Sequence, residues 1–422
     1  MKGDITGRFS IKTHDAWKWR QIESVIHETM SLFNFHEVRP SILSNYHLLA
    51  RVINHFHHED HAEMAVAGYL RLDKPDEDHC LRPEGTIAIL NSNIAEKALH
   101  EIQKVYYLGP MFRKNGNQGI DEFNQLGIEI LGSSTMISDD EAIRLSLQLC
   151  KKFGFGNSWV EIASHGCENC RPGFMKARNE FIREHRSDFC PECAQKMLDN
   201  PFYMPECDNA KCKETYKTIP KLVNFLCDDC VNQFHQLKKT LSNLTTNYKV
   251  NHDLARDYNY YRQTVFNVLI DTAKGPLRIG GGGRYDDLSH FVTGHTLPSV
   301  GFALELDQVF NMLEERGLFI QPDSQFKVYL CMQNPGLETI IMQISEELRN
   351  NGFSTVIGAN CEDFQKECDL ATHQNCTTMI VVNANDIREG KVLLKNFLKE
   401  HQEYLKLSDL IPQLSVIRKT FM

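Results

Sequence analysis

Apolar residues at Trp17, Ile22, Val25, Ile26, Met30 and Phe33 recur at helical spacing near the start of the chain, and the extended, Pro-containing run FNFHEVRPSIL follows. That pattern predicts a helix and then a strand. Over 105–131 the run VYYLGPMFRKNGNQGIDEFNQLGIEIL reads as two strands about a polar, Gly-rich turn, a long hairpin with a mobile tip. Strand character returns in YYRQTVFNVLI and PLRIGGGGRYDDL, and SVGFALELDQVFNMLEERG reads as a strand running into a helix that Gly317 stops. Beyond QPDSQ the chain alternates FKVYLCM, a helix to Leu348, FSTVIG, a second helix, TTMIVVN and KVLLKNFL. Such alternation predicts a small α/β domain with a mostly parallel sheet.

Over 165–241 the strand-rich pattern gives way to cysteine pairs and charged helical stretches, which marks an inserted subdomain. The expected organisation is therefore a core in two parts, 1–164 and 242–320, split by the 165–241 insertion and followed by an α/β domain over 326–422. No internal repeat or low-complexity tract interrupts it.

Composition narrows the class. The chain has 422 residues, 42% hydrophobic and 24% charged, which is ordinary for a globular protein and too apolar for a disordered one. No apolar run approaches the roughly 20 residues that span a bilayer, and the start MKGDITGRFSIKTHD lacks the apolar stretch of an export signal, so the expected location is cytoplasmic. A formal net charge of -9 argues against a general polyanion binder, but it leaves room for a local basic face that holds one RNA. Fourteen cysteines in a large chain of this kind point to metal binding or plain burial rather than disulfides.

Four separated segments carry the chemistry. They are LRPEGT (81–86), GPMFRKN…EFNQLGIEILG (109–132), ARDYNYYRQTVF (255–266) and GGGRYDDL (281–288). Together they resemble the histidyl-tRNA synthetase family of class II aminoacyl-tRNA synthetases. The resemblance implies an α/β (α+β) fold: an antiparallel sheet core with helices, a Cys-rich inserted subdomain and a C-terminal α/β domain like the family's anticodon-binding domain. It also implies a histidine-binding set.

Glu84 and Thr86 would meet the cationic α-amine, which in a half-buried pocket calls for a fixed anion and a hydroxyl acceptor. Arg113 would bridge the substrate carboxylate and the ATP α-phosphate, a task suited to a planar guanidinium that stays charged. Gln125 and Glu129, four apart on a strand and so on one face, would face the bound histidine, with Glu129 taking the imidazole proton. Arg256 would stabilise charge built up as the carboxylate attacks ATP, while Tyr260 and Tyr261 close over the imidazole. Asp257, Tyr258 and Asn259 stand where the family has Gly, Leu and Asp. Gly282 and Tyr285 belong to the second histidyl signature, whose glycines allow close backbone approach. The resemblance thus makes Arg113 and Arg256 the catalytic residues.

The pattern breaks in the ATP region. SVGFALELDQV (299–309) resembles motif 3, where the family's Gly-Leu-Glu-Arg is here Glu305, Leu306, Asp307 and Gln308. A neutral amide cannot replace a guanidinium against triphosphate. Glu305 also sets a carboxylate where a polyanion would lie, and two like charges 4 Å apart repel by roughly 4 kcal/mol at an effective dielectric of about 20. Asn115 replaces the glutamate that reads the adenine edge, and an arginine usual near the hairpin turn aligns with Asp121. The opening departs too, with IKTHD for the family's Pro-x-Gly-x-x-Asp; Arg39 and Pro40 fit motif 1, from which a homodimer follows.

In the insertion eight cysteines form four pairs, Cys167 with Cys170, Cys190 with Cys193, Cys207 with Cys212, and Cys227 with Cys230. Three are C-x2-C knuckles, and eight thiolates suffice for two structural zinc sites stapling a subdomain with little core of its own. The alternative is reduced, buried thiols. The insertion resembles the family's own, which approaches the tRNA acceptor stem. HFHHEDH (55–61) lacks a single phase and reads as a solvated loop; Cys80, Cys150, Cys331, Cys361, Cys368 and Cys376 read as apolar fillers.

Two functions fit these residues. One is a paralogue that binds free histidine without activating it, as in the regulatory subunit of ATP phosphoribosyltransferase, which shares the fold and commonly has an Arg-less motif 3; its partner would be a catalytic subunit. The other is a divergent histidine-tRNA ligase using ATP, Mg and the histidine tRNA. Arg113, Arg256, the insertion and the C-terminal domain speak for the ligase; Gln308, Glu305 and Asn115 speak against it. The contact chemistry favours the paralogue. Transfer of histidine to a non-tRNA acceptor is a third option that the residues do not address.

Overall fold

The 105–131 hairpin forms the spine of an eight-stranded sheet. The computed structural model describes residues 15–56, 78–114, 120–199, 207–244, 246–254, 260–320, 326–360 and 363–421, in two compact units, Met1–Phe319 and Ile320–Met422. The strands of the first unit are β1 (His36–Glu37), β2 (Leu43–Asn45), β3 (His79–Leu81), β4 (Gln103–Lys114), β5 (Ile120–Leu131), β6 (Ser158–Ser164), β7 (Tyr248–Val250), β8 (Arg262–Thr272), β9 (Gly275–Arg284) and β10 (Ser299–Glu305). Their order in the main sheet is β1-β4-β5-β10-β9-β8-β6-β7, antiparallel from β4 to β6, with β1 and β7 added in parallel at the edges.

Period-2 alternation gives the sheet two different faces. Leu126, Ile128 and Ile130 of β5 enter the main core, where they meet Trp19, Ile22, Ile26 and Met30 of the helix Ala16–Leu32 and Ile143, Leu145 and Leu149 of the helix Met136–Lys152. The alternate residues Gln125 and Glu129 are buried on the other face, which carries the candidate site. FNFHEVRPSIL forms only the short β1 and β2, broken around Pro40, which has no N–H to give to a ladder. The hairpin tip, 115–119, lies outside the described residues. His55 ends the helix Tyr46–Phe56 and stacks on Phe291 at 4.5 Å, while 57–61 of the histidine-rich run lie outside the description.

An arginine holds the sheet to its helix layer. Arg284, at the end of β9, is fully buried and pairs with the equally buried Asp139 at 2.5 Å; it also donates to the Ser133 carbonyl at 2.9 Å and the Thr135 carbonyl at 3.3 Å. These contacts tie the strand bearing the glycine run to the first turn of the helix Met136–Lys152.

The 165–241 insertion is helical, with Arg171–Glu184, Pro191–Asp199, Ala210–Lys217 and Asp228–Asn243. Its two small cores form around cysteines, one with Ile182, Phe189, Met197 and Ile219, the other with Phe174 and Leu222. The helix Asp228–Asn243 reaches further, burying Phe234, Leu237 and Leu241 in the main core.

The second unit holds β11 (Lys327–Met332), β12 (Ser354–Asn360), β13 (Thr378–Val382), β14 (Lys391–Asn396) and β15 (His401–Lys406), ordered β12-β11-β13-β14-β15. Three strands are parallel as the βαβ alternation predicts, but β14 and β15 add antiparallel. No helix of crossover length separates β13 from β14, so the sheet is mixed rather than mostly parallel. Cys331, Cys368 and Cys376 are buried fillers of one face, and Cys80 and Cys150 are likewise buried in the first unit; Cys361 lies outside the described residues. Among the described residues no helix is long and apolar enough to cross a membrane.

Removing one member of a buried ion pair strands the other. Arg284→Met should therefore destabilise the first unit by about 3–5 kcal/mol in urea unfolding; a loss below about 1 kcal/mol, the usual worth of a surface pair, would show that Arg284 is not the anchor.

Candidate functional site

Glu84 precedes a one-turn helix, Thr86–Leu90, and its carboxylate caps it, accepting from the Thr86 N–H at 2.7 Å and the Ile87 N–H at 2.8 Å. Arg82, buried one turn earlier, donates to the carbonyls of Pro110 (3.0 Å) and Pro40 (2.6 Å) and so presses this loop onto β4. Burial pushes the Glu84 carboxyl up, against its hydrogen bonds and the attraction of Arg113.

These residues open onto a cavity of about 100 Å³, lined by Glu84, Thr86, Tyr107, Arg113, Gln125, Tyr260, Tyr261, Arg278, Gly280, Gly281, Ala303 and Glu305. Gln125 is 5% exposed, and its Oε1 is a buried acceptor with no protein donor among the described residues, an atom suited to a ligand N–H. Tyr260 packs edge-on against Phe56 at 5.7 Å and touches Tyr261 at 4.8 Å, so the two rings form one wall.

Glu129 lies beneath the lining, 2% exposed, accepting from Thr86 Oγ1 at 2.7 Å and from the hydroxyl of the buried Tyr285. Burial raises its carboxyl from the ordinary 4.5 to about 8, with nearby Glu84 adding and the two hydrogen bonds subtracting. It sits opposite Gly301 of β10, and a Cβ at Gly301 would come within 2.1 Å of Glu129 Oε2. Glycine is required there because the carboxylate occupies the space of a side chain.

Six of the expected histidine-set residues thus line the cavity (Glu84, Thr86, Arg113, Gln125, Tyr260 and Tyr261); Glu129 and Tyr285 do not line it but bond each other behind it, linked to it through Thr86. Gly282 does not line it; its missing side chain faces Phe302 and the Gly301 carbonyl, and Gly280 and Gly281 line the cavity instead. Arg256 lies outside the described residues, as does Asn115. Sequence reasoning passed over Arg278 and Tyr107. Arg278 was legible by alternation, since its neighbours Leu277 and Ile279 both pack on the main core and leave Arg278 on the other face. Tyr107 carried no such signal, being one of an adjacent tyrosine pair whose members take opposite faces.

A second cleft of about 360 Å³ adjoins the cavity, sharing Arg113 and Glu305 and lined further by Asp121, Glu122, Phe123, Asp307, Gln308 and Asn311. Its four carboxylates face one guanidinium, which packs 4.7 Å from the Phe123 ring and donates to the Pro83 carbonyl at 3.2 Å. Gln308 Nε2 donates to Glu305, so two of the three altered motif 3 residues bond each other. Asp307 instead braces β5, accepting from the Asn124 N–H at 3.0 Å and the Asn124 side chain at 3.1 Å.

In the insertion the sulfurs of Cys167, Cys170, Cys227 and Cys230 converge, as do those of Cys190, Cys193, Cys207 and Cys212, each set lying within 4.8 Å. The Cys167 sulfur is 3.6 Å from that of Cys170 and 3.8 Å from that of Cys227. A tetrahedron of sulfurs about 2.3 Å from a central ion has edges of roughly 3.8 Å, so the spacing fits a bound metal. Burial pushes the Cys167 thiol up, but the N–H groups of Asn169 and Cys170 and the neighbouring thiols hold it down to about 7, close to the thiolate that a metal needs. Each set could hold one ion.

Comparison with known proteins decides the family. The family model described as histidyl-tRNA synthetase matches residues 11–166 and 210–309, and that of an anticodon binding domain matches 327–416. The chain belongs to the histidyl-tRNA synthetase family. Its curated relatives include the histidine–tRNA ligase of Thermodesulfovibrio yellowstonii, 29% identical over 99% of this chain and 98% of that protein. That of Thermosipho melanesiensis is 30% identical over 94% of each. Among solved structures, apo histidyl-tRNA synthetase of S. aureus superposes with a TM-score of 0.78 at 25% identity, covering 96% of this chain and 97% of that one. A Bacillus halodurans protein described as an ATP phosphoribosyltransferase regulatory subunit/histidyl-tRNA synthetase shares the fold, with a TM-score of 0.63 at 18% identity over 89% of this chain and 97% of that one. The family model passes over 167–209, where two of the four cysteine pairs lie.

The raised Glu129 carboxyl gives a pH test. A carboxyl whose folded value is above its unfolded one stabilises the fold fully below about 4.5 and loses that contribution as pH rises toward about 8. Without histidine, Glu129→Gln should therefore gain in melting temperature relative to the parent as pH goes from 5 to 8. Parallel pH profiles for the two proteins would contradict the assignment.

Proposed function

We propose that this member of the family is a histidine-binding paralogue whose nucleotide site no longer supports activation. The observation that carries the reading is the Gln308–Glu305 pair in a cleft of four carboxylates, directly beside a cavity lined by Glu84, Gln125 and Arg113, with Glu129 behind Thr86. A triphosphate needs cationic partners, and among the described residues the cleft sets one arginine against four carboxylates.

In the cavity, Glu84 takes the α-ammonium of histidine together with Thr86, and Arg113 takes the carboxylate with two parallel donors. Tyr260 and Tyr261 cover the imidazole, Gln125 Oε1 accepts from a ring N–H, and Glu129, poised near neutrality, accepts the other proton. Gly281 supplies the close backbone approach, and Tyr285 fixes Glu129.

All-thiolate tetrahedral sets select zinc, and zinc at the two clusters is structural, holding an insertion whose own cores are small. The protein acts as a homodimer. A regulatory role beside a catalytic partner subunit is part of this reading, and the Bacillus halodurans protein described as such a subunit/histidyl-tRNA synthetase shares the fold. The competing reading, a divergent ligase that charges the histidine tRNA with ATP and Mg, has in its favour the retained Arg113 and the full-length match to proteins named histidine–tRNA ligase.

Calorimetry should record binding of free histidine and no binding of ATP. Glu305→Gly combined with Gln308→Arg should raise ATP affinity by about tenfold or more, the scale of one charge-assisted pair gained and one repulsion removed. A parent that already binds ATP as tightly as the double variant would support the ligase. Elemental analysis should find two zinc equivalents per chain, and a chain without metal would return the cysteines to plain burial.

A further inference from the structure

Leu254 and Tyr260–Gln263, the described residues on either side of 255–259, are held by residues that adjoin the first cysteine cluster. His165 Nε2 donates to the Leu254 carbonyl at 3.0 Å. Arg171 donates through Nη2 to the Tyr261 carbonyl and through Nε to the His165 carbonyl at 3.4 Å. Two backbone bonds complete the grip: the His165 N–H to the Gln263 carbonyl at 2.7 Å, and the Gln263 N–H to the Gly166 carbonyl at 2.8 Å. Gln263 has φ 47°, and the β8–β9 register slips between Arg262 and Val265. The strand thus enters the sheet through a left-handed residue that its neighbours must hold in place.

His165, Gly166 and Arg171 are also the residues flanking Cys167 and Cys170. Gly166, at φ 59°, packs so closely that a Cβ there would lie 2.7 Å from Cys170 Cβ. The other two sulfurs come from Cys227 and Cys230 at the start of the helix Asp228–Asn243, where the Cys227 N–H points to Cys170 Sγ at 3.2 Å. That helix is fixed by Phe234, Leu237 and Leu241 in the main core. An ion held by the four sulfurs therefore joins a core-anchored helix to the knuckle that grips Tyr261. Without it, the link rests on the Cys227 N–H and the small core about Phe174 and Leu222.

The second cluster is placed differently. Cys193 and Cys212 belong to a separate small core, and the helix Ala210–Lys217 reaches toward Leu254 through Tyr216, whose hydroxyl donates to Asp253 at 3.4 Å, outside the gripped stretch.

We infer that metal at Cys167, Cys170, Cys227 and Cys230 sets the position of Tyr260 and Tyr261 and hence the affinity of the neighbouring cavity, with His165 and Arg171 as positioning residues, whereas metal at the second cluster only stabilises the insertion. The affinity half of this rests on the histidine reading of the cavity; the positional half does not.

The test uses the full chain loaded with zinc, and Cys227→Ser and Cys207→Ser variants that each lose one site. Cys227→Ser should weaken histidine binding by about tenfold, a coupling within the usual range between linked sites, and should speed hydrogen exchange at the Gln263 amide. Cys207→Ser should lower thermal stability with histidine affinity and Gln263 exchange little changed. Arg171→Met should reproduce the weakened binding with both zinc ions still present, and Arg171→Lys should recover part of it. Equal loss in the two cysteine variants, or no change in either readout for Cys227→Ser, overturns the coupling. If the parent chain binds no histidine, the functional reading fails, and the contrast in Gln263 exchange still decides the inference.

Discussion

The register of β5 against β10 is the constraint from which both subsites follow. It sets Glu129 opposite Gly301 and Gln125 opposite Glu305, so one pair of strands builds the floor of the small cavity and the wall of the adjoining cleft. A slip of one residue would send Gln125 and Glu129 into the apolar core and Leu126, Ile128 and Ile130 onto the site. The apolar alternation of β5 forbids that slip, and the buried Arg284–Asp139 pair fixes the next strand outward to the helix layer. Chemistry at the site is therefore inherited from packing on the opposite face of the sheet.

Within that frame the two subsites differ in charge. The cavity offers a helix-capping carboxylate, a hydroxyl and an orphaned amide oxygen, with a carboxyl raised to about 8 behind the hydroxyl. The cleft has the guanidinium it shares with the cavity and four carboxylates, and Gln308 Nε2 donates to Glu305 while Gln308 Oε1 stays buried without a partner among the described residues. Asp307 braces β5 through Asn124.

Much of this was legible in the sequence because it rests on local pattern. Alternation gave the β4–β5 hairpin, the face shared by Gln125 and Glu129, and the strand-to-helix passage at Glu305 ending by Gly317. Four cysteine pairs gave the metal clusters, though only folding shows that the first pair meets the last and the middle two meet each other. What stayed hidden depends on contacts distant in sequence. Gly282 was set in the pocket, whereas strand pairing turns it toward Phe302. FNFHEVRPSIL was read as one strand, and Pro40 divides it. The C-terminal sheet was read as mostly parallel, but β14 and β15 return antiparallel because no crossover helix precedes them. The grip of His165 and Arg171 on Leu254 and Tyr261 spans about 90 residues and has no linear signature.

The central claim is a mismatch between neighbouring subsites, and histidine-dependent exchange of pyrophosphate into ATP by the purified, zinc-loaded chain reads it most directly. The account predicts no exchange above background even at saturating histidine. Exchange at a rate usual for a synthetase would contradict it.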